Sequence, residues 1–342
     1  MKRKRTLRVF FVTSFFILTF LFTFVARNRF HMILSIVYIL VGVVFVIKGA
    51  DVMTDGAVAL AQRMNIPQMV IGLTIVALGT SMPELFVSMM SAIKGTPDLA
   101  VGNVVGSNIF NTFLIVGVAA MVAPMTILKS TVRKDIPIAM VASVVLLLFC
   151  LDSDINRLDA AILFVGLLAY IGYNLYIAKK HPAQESDEGR KDYSVVKSLL
   201  FIILGLGGLV IGSNLFVDGA SDIAAMLGVS EAVIGLTVVA GGTSLPELAT
   251  SVVAARKGQS AIAMGNVIGS NVYNILMILG VTGLIKPMQI MGITAVDFGM
   301  MVLGMVLLWL FSRTKYKVER WEGAVLTIVF LAYMVRLVSE AV

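Results

Sequence analysis

Apolar positions fall into ten blocks along this chain, near residues 33 to 49, 67 to 94, 98 to 123, 136 to 151, 158 to 178, 196 to 217, 230 to 255, 260 to 285, 292 to 312 and 320 to 339. Polar segments separate them. About 20 apolar residues in helical form cross the ~30 Å hydrocarbon core of a bilayer. The pattern therefore predicts an all-α membrane protein with ten transmembrane helices.

The blocks are not independent of one another. The stretch GLTIVALGTSMPE from Gly72 to Glu84 recurs as GLTVVAGGTSLPE from Gly235 to Glu247, and GNVVGSNIFN from Gly102 to Asn111 recurs as GNVIGSNVYN from Gly265 to Asn274. Every pair is offset by 163 residues, as are Gly49 with Gly212 and Gly56 with Gly219, and no gap is needed between the blocks. Five predicted helices separate equivalent points. An odd number means that the second copy enters the membrane from the opposite side, which gives two inverted five-helix repeats with interrupted helices at the midplane, a plan recurrent among secondary transporters. The expected division is an N-terminal extension over 1–31, a first repeat over 32–178, a cytoplasmic linker over 179–195 and a second repeat over 196–342. The polar run KKHPAQESDEGRKDYSVVK, from Lys179 to Lys197, is too short for a regulatory domain.

Composition supports the membrane reading and narrows the chemistry. A mean hydropathy of +0.96 with 14% charged residues leaves too little charge to cover a soluble surface. The single Cys150 excludes an intramolecular disulfide, and His31 and His181 both lie outside the apolar blocks, so the bundle offers no zinc or haem ligands. The net charge of +7 is unevenly placed. With residues 1–31 set aside, sixteen Lys and Arg fall on loops of one side and only four (Lys94, Arg157, Lys286 and Arg336) on the other. By the positive-inside rule the rich side is cytoplasmic, which puts Met32 and the C-terminus outside. The basic excess is thus a topology signal rather than a nucleic-acid footprint. The segment MKRKRTLR followed by the apolar run from Val9 to Ala26 reads as a signal peptide, an extra anchor helix, or sequence upstream of a start at Met32. All three agree with that topology.

Glu84 and Glu247 carry the functional argument. Each sits near the middle of an apolar block, where a charged side chain costs on the order of 3 kcal/mol or more. No basic residue occupies the central part of any block, so a permeant cation is the expected partner. Pro83 and Pro246 precede the glutamates and, lacking an N–H, are expected to disrupt the helix one turn earlier, at Gly79 and Gly242. Carbonyls freed around Thr80 and Thr243 would then converge with the carboxylates four residues on. Ser107 with Asn111, and Ser270 with Asn274, lie one helical turn apart and add oxygen. Gly102 with Gly106, and Gly265 with Gly269, allow close helix contact. Asn103, Asn108, Asn266 and Asn271 read as interhelical hydrogen-bonding residues. The donors are all oxygen, which suits calcium and sodium and disfavours soft metals.

These motifs resemble the two alpha repeats of the sodium/calcium exchangers, especially the compact prokaryotic members, and the resemblance extends over residues 32 to 342. It implies alternating access, with calcium held by Glu84 and Glu247 and the carbonyls of Thr80 and Thr243. Sodium would use overlapping positions built from Ser81, Ser244, Ser107, Ser270 and the carbonyls of Ala77 and Ala240, with Asn111 and Asn274 beside the centre. The ions are cargo, and neither an organic cofactor nor an obligatory protein partner is implied. Some relatives carry aspartate where this chain has Asn274. The amide leaves two formal negative charges, which matches one calcium or at least two sodium ions, allows a third sodium on neutral oxygens, and argues against potassium dependence. The alternatives are a proton-coupled calcium antiporter, which in its family has a different acidic signature, an ion channel, and an intramembrane hydrolase. A channel needs a continuous pore rather than one compact acidic site. Glutamates flanked by prolines and hydroxyls offer no evident water-activating arrangement.

Overall fold

The computed structural model describes residues 2–180, 193–228 and 240–341, with side chains described from His31 onward except at 240, 340 and 341. It is all-helical apart from four two-residue strands. In chain order the helices are α1 (Lys2–Met64), α2 (Gln68–Thr80), α3 (Met82–Lys94), α4 (Pro97–Val122), α5 (Thr131–Asp152), α6 (Arg157–Lys180) and α7 (Val195–Met226). They continue as α8 (Ala240–Thr243), α9 (Leu245–Arg256), α10 (Ser260–Ile285), α11 (Ala295–Arg313) and α12 (Arg320–Ala341). Among the described residues eight helices are long and apolar enough to cross a membrane, and the bent pair α2 and α3 makes a ninth. The seventh apolar block falls partly on residues 229–239, outside the described residues.

Helices α1 and α7 are longer than the first and sixth apolar blocks suggested. α1 continues past residue 49 to Met64, and α7 past residue 217 to Met226. Asp51, Asp55 and Asp218 lower the hydropathy without stopping the helix, because nothing breaks the backbone until Pro67 or the turn at Gly228. Glycines spaced seven apart line both helices where they meet. A methyl group on Gly42 would stand 2.7 Å from the Gly212 carbonyl, and one on its repeat equivalent Gly205 would stand 2.7 Å from the Gly49 carbonyl. Backbones can approach this closely only without Cβ atoms. The contacts run Gly42 to Gly212, Gly49 to Gly205 and Gly56 to Ser198, so the two equivalent helices pack antiparallel.

The strands repeat that exchange. β1 (Met125–Thr126) pairs with β4 (Lys317–Val318), and β2 (Asp154–Ile155) pairs with β3 (Met288–Gln289), all antiparallel. β1 precedes α5 and β2 follows it, so the two ribbons lie at opposite ends of that helix. By the 163-residue offset β3 is the equivalent of β1, and β4 of β2. Equivalent strands therefore sit at opposite ends of the bundle.

Two helices form the interior. About three-quarters of the apolar windows of α4 and α10 is buried (72% and 78%), against 22% to 33% for the other spans. These two carry the GNVVGSN and GNVIGSN motifs. Gly265 and Gly269 of α10 lie against Gly72, Leu73 and Ala77 of α2, as the glycine spacing predicts. The positions on the second repeat that would meet Gly102 and Gly106 in the same way fall in 235–240, at or beyond the edge of the described residues. The remaining helices pack around this pair and turn large apolar side chains such as Phe86, Val165, Leu204 and Ile328 outward, as lipid contact requires.

Candidate cation site

The helix carrying the first glutamate does not break at Gly79. α2 continues through Thr80, and the chain turns at Ser81 (φ −81°, ψ 4°) before α3 sets off at 45° to it. Likewise α8 continues through Thr243 and the turn falls at Ser244 (φ −90°, ψ 6°) rather than at Gly242. The reason is local. Pro83 and Pro246 enter the first turn of the following helix, where a missing N–H costs nothing, so the interruption falls just before them instead of a full turn earlier. Ser81 N–H still reaches the Ala77 carbonyl at 3.0 Å, and Leu85 N–H bridges the turn to Ser81 O at 3.1 Å. Glu84 and Glu247 thereby sit at the third position of new helices, near positive dipole ends that favour carboxylates.

Both glutamates are 1% exposed. Each is grasped across the repeat boundary: Ser244 Oγ donates to Glu84 Oε1 at 3.1 Å, and Ser81 Oγ donates to Glu247 Oε1 at 3.3 Å. Thr243 and Thr80 also neighbour Glu84 and Glu247 respectively. Ser107 Oγ lies 3.2 Å from Ser244 Oγ and, with the Ser244 proton given to Glu84, is the donor of that pair. A second layer fixes the glutamate backbones. Asn103 Nδ2 donates to Glu84 O at 3.2 Å and to Ser88 Oγ at 2.9 Å, and Asn266 Nδ2 donates to Glu247 O at 3.3 Å and to Ser251 Oγ at 3.0 Å. Thr80 Oγ1 donates to Asn266 Oδ1 at 3.1 Å, which ties the two halves once more.

What these bonds leave over is informative. Glu84 Oε2, Glu247 Oε2, Asn111 Oδ1, Asn274 Oδ1 and Ser270 Oγ are buried with no hydrogen-bond partner in the protein. Buried polar atoms ordinarily find partners, and an unpaired carboxylate oxygen in a dry bundle is especially costly. Among the described residues no group of three or more His, Cys, Asp and Glu side chains comes together. The ion pairs among the described residues, Lys257 with Asp51 and Asp55 and Lys317 with Glu319, include neither glutamate. The arrangement is thus two carboxylates with neutral oxygen donors beside them, spare acceptors and, among the described residues, no ion pair with a protein cation.

The sequence-derived candidates are placed unequally. Hydrogen bonds join Glu84 with Ser244 and Ser107, and join Glu247 with Ser81 and, through Asn266, with Thr80. Asn111 and Asn274 lie on π-helical segments, Phe110–Ile115 and Asn274–Leu279, and are linked to Asn271 and Asn108. The Ala77 carbonyl already accepts from Ser81 N–H at 3.0 Å. Ala240 opens α8 directly after the residues outside the description. Sequence reasoning missed the crossed serine–glutamate bonds and the π-helical turns, which often accompany functional sites. It also missed Met301 and Met305, whose sulfurs touch the asparagine cluster from α11. No signal marks these methionines within an apolar helix.

A family model described as sodium/calcium exchanger protein matches residues 34–176 and again 197–338. The chain belongs to the sodium/calcium exchanger family. It is similar to the sodium/calcium exchanger MaX1 of Methanosarcina acetivorans, with 34% identity over 87% of this chain and 96% of that one. The inner membrane protein YrbG of Escherichia coli is 33% identical over 90% of this chain and 97% of its own length. Among solved structures, the sodium-calcium exchanger NCX_Mj soaked without Na+ and Ca2+ superposes with a TM-score of 0.79 at 31% identity, over 90% of this chain and 99% of that one. The compact prokaryotic exchanger type and the multi-pass membrane architecture are therefore established, and the chain is an integral membrane protein of a family of cation exchangers.

Proposed function

We propose that this exchanger carries calcium against sodium by alternating access between two inverted repeats of five helices each, in the inner membrane of a bacterium. The observation that carries the reading is the set of five buried, partnerless oxygens on Glu84, Glu247, Asn111, Asn274 and Ser270. Two of them belong to the Glu84 and Glu247 carboxylates, which no ion pair among the described residues compensates. Calcium would take Glu84, Glu247 and the carbonyls of Thr80 and Thr243, and it favours 6 to 8 oxygens in flexible geometry. Sodium ions would share the carboxylates and use Ser81, Ser107, Ser244, Ser270, the carbonyls of Ala77 and Ala240, and the Asn111 and Asn274 amides. The antiparallel packing of α1 on α7 and the exchanged strand pairs support inversion, since each contact recurs with the repeats swapped.

The test is calcium efflux from calcium-loaded, sodium-free proteoliposomes on addition of external sodium, at clamped potentials and with or without potassium. Sodium-driven, voltage-sensitive, potassium-independent efflux is the expected result. Transport driven by a proton gradient and indifferent to sodium would instead assign the chain to proton-coupled calcium exchange. Inversion has its own test: cysteines placed at Lys94 and Arg256 should label from opposite sides, and labelling of both from one side would refute it.

A further inference from the structure

Four asparagines, each no more than 2% exposed, meet where α4 crosses α10: Asn108, Asn111, Asn271 and Asn274. An amide presents either its oxygen or its NH2 group to a given direction, and only the oxygen can face a cation. We propose that Asn108 and Asn271 are positioning residues that hold the Asn274 and Asn111 amides with oxygen toward the ions, and that Asn108 thereby makes position 274 a place for an amide rather than a carboxylate. The inference deepens the cation-site reading above and rests on it.

The logic follows from which neighbours can only accept. Asn108 Nδ2 stands 3.4 Å from the Asn271 main-chain carbonyl and 3.8 Å from Met301 Sδ, neither of which can donate. That fixes the Asn108 amide, and its Oδ1 turns to Asn274, accepting from Asn274 Nδ2 at 3.2 Å. Asn274 Oδ1 must then face the other way, where the protein supplies no donor. The mirror arrangement uses a hydroxyl relay. Thr112 Oγ1 gives its proton to Met305 Sδ at 3.6 Å and so accepts from Asn271 Nδ2 at 2.8 Å. Asn271 Oδ1 accepts from Asn111 Nδ2 at 3.1 Å, which leaves Asn111 Oδ1 free and buried.

An aspartate at position 274 would set one carboxylate oxygen against Asn108 Oδ1. Asn108 could turn to donate only by pressing its own oxygen on the Asn271 carbonyl. The fixed Asn108 amide therefore keeps the site at two formal negative charges, the charge of one calcium. Partners of this kind around metal ligands typically change affinity by about 10- to 100-fold when removed.

The test is a double-mutant cycle in proteoliposomes, read as the apparent calcium KM and kcat of Asn108→Leu, Asn274→Asp and the pair together. Asn108→Leu frees the Asn274 amide to turn its NH2 inward, and KM should rise about 10- to 100-fold with kcat changed much less. Asn274→Asp alone should also be impaired. The double variant should recover toward wild type, because a carboxylate offers oxygen whichever way it turns and the opposing Asn108 oxygen is gone. Should Asn108→Leu fail to fold, the mirror cycle of Asn271→Leu with Asn111→Asp reads the same relation. Losses that multiply in the double variants would overturn the proposal, since a packing role predicts no rescue. If wild type exchanges no calcium for sodium, the functional reading falls by itself, and the cycle is then read by calorimetry as calcium binding to purified protein. A wild type that binds no calcium either overturns both.

Discussion

The centre and the ends of this molecule treat the internal repeat differently. At the centre the bonds that hold the glutamates come in pairs, Ser244 to Glu84 with Ser81 to Glu247 and Asn103 to Glu84 O with Asn266 to Glu247 O, although the Ser244–Ser107 contact is not repeated at Ser270. At the ends the twins part. Lys257 binds Asp51 Oδ1 at 2.6 Å and Asp55 Oδ1 at 2.7 Å and donates to the Asp51 carbonyl at 3.1 Å, which ties α1 to the end of α9. Its equivalent Lys94 would need acids at 214 and 218, and the first of these is Asn214. α1 also lies along α9, with Thr250 Oγ1 3.9 Å from Met53 Sδ, whereas the equivalent α7 does not lie along α3 among the described residues. The outward face of α3 is accordingly bare, with Phe86 63% and Ile93 49% exposed. On the proposed function both halves of the centre meet one ion, which would hold them to one chemistry. The ends meet two different faces and are free to diverge.

The largest effect that could break this comparison is at the glutamates. Glu84→Gln and Glu247→Gln should each nearly abolish calcium transport, to an equal extent, in protein that still inserts and folds. Neutralisation removes a charged ligand while lowering the burial cost. Flux assays paired with size-exclusion profiles measure both quantities. A variant that keeps wild-type exchange would show that the two halves are not equivalent.

An intermediate effect is expected one layer out. Asn103→Ala and Asn266→Ala unmoor the backbone of Glu84 and Glu247 respectively, and each should weaken apparent calcium affinity by about tenfold. Asn266 also receives Thr80 Oγ1, so its loss should be the larger of the two. Concentration dependence of uptake gives the ranking, and the reverse order would contradict it.

The smallest effect is at the ends. Burial pushes the Lys257 ammonium down, but hydrogen bonds and charge from Asp51 and Asp55 outweigh it, so its pKa lies above the ordinary lysine value. The folded state is favoured by this shift at every pH below the ordinary lysine range, and the gain is lost only as pH rises through the shifted value. The pair is about a third exposed and solvent-screened, so it contributes at most ~1 kcal/mol. Lys257→Gln should lower the melting temperature in detergent by about 2 °C and Lys94→Gln by less. Equal shifts would remove the asymmetry argued for the ends.

Much of this was legible in the chain because the bilayer makes few exceptions. A carboxylate amid twenty apolar residues has to be explained, so Glu84 and Glu247 stood out without any structure. Helix lengths were less legible: past residue 49 α1 sets Asp51 and Asp55 among residues buried in the protein, such as Met53, Ala57 and Leu60, and a hydropathy pattern reads such a mixture as a boundary. The turn was misplaced by two residues because a proline rule for helix interiors was applied to prolines that begin new helices. Asn108 and Asn271 read only as generic hydrogen-bonding residues, since nothing local says which end of an amide points where.

By itself the sequence determined the membrane class, the 163-residue repeat, the family and the paired buried acids, all of which follow from residue type and spacing along one dimension. Only the tertiary structure decided that each glutamate is held by a serine of the opposite repeat, that α1 and α7 meet through interlocked glycines, and which buried oxygens are left without a donor. These are statements about which surfaces face each other across the 163-residue separation, and hydrogen-bond satisfaction is a property of the assembled neighbours rather than of either residue alone.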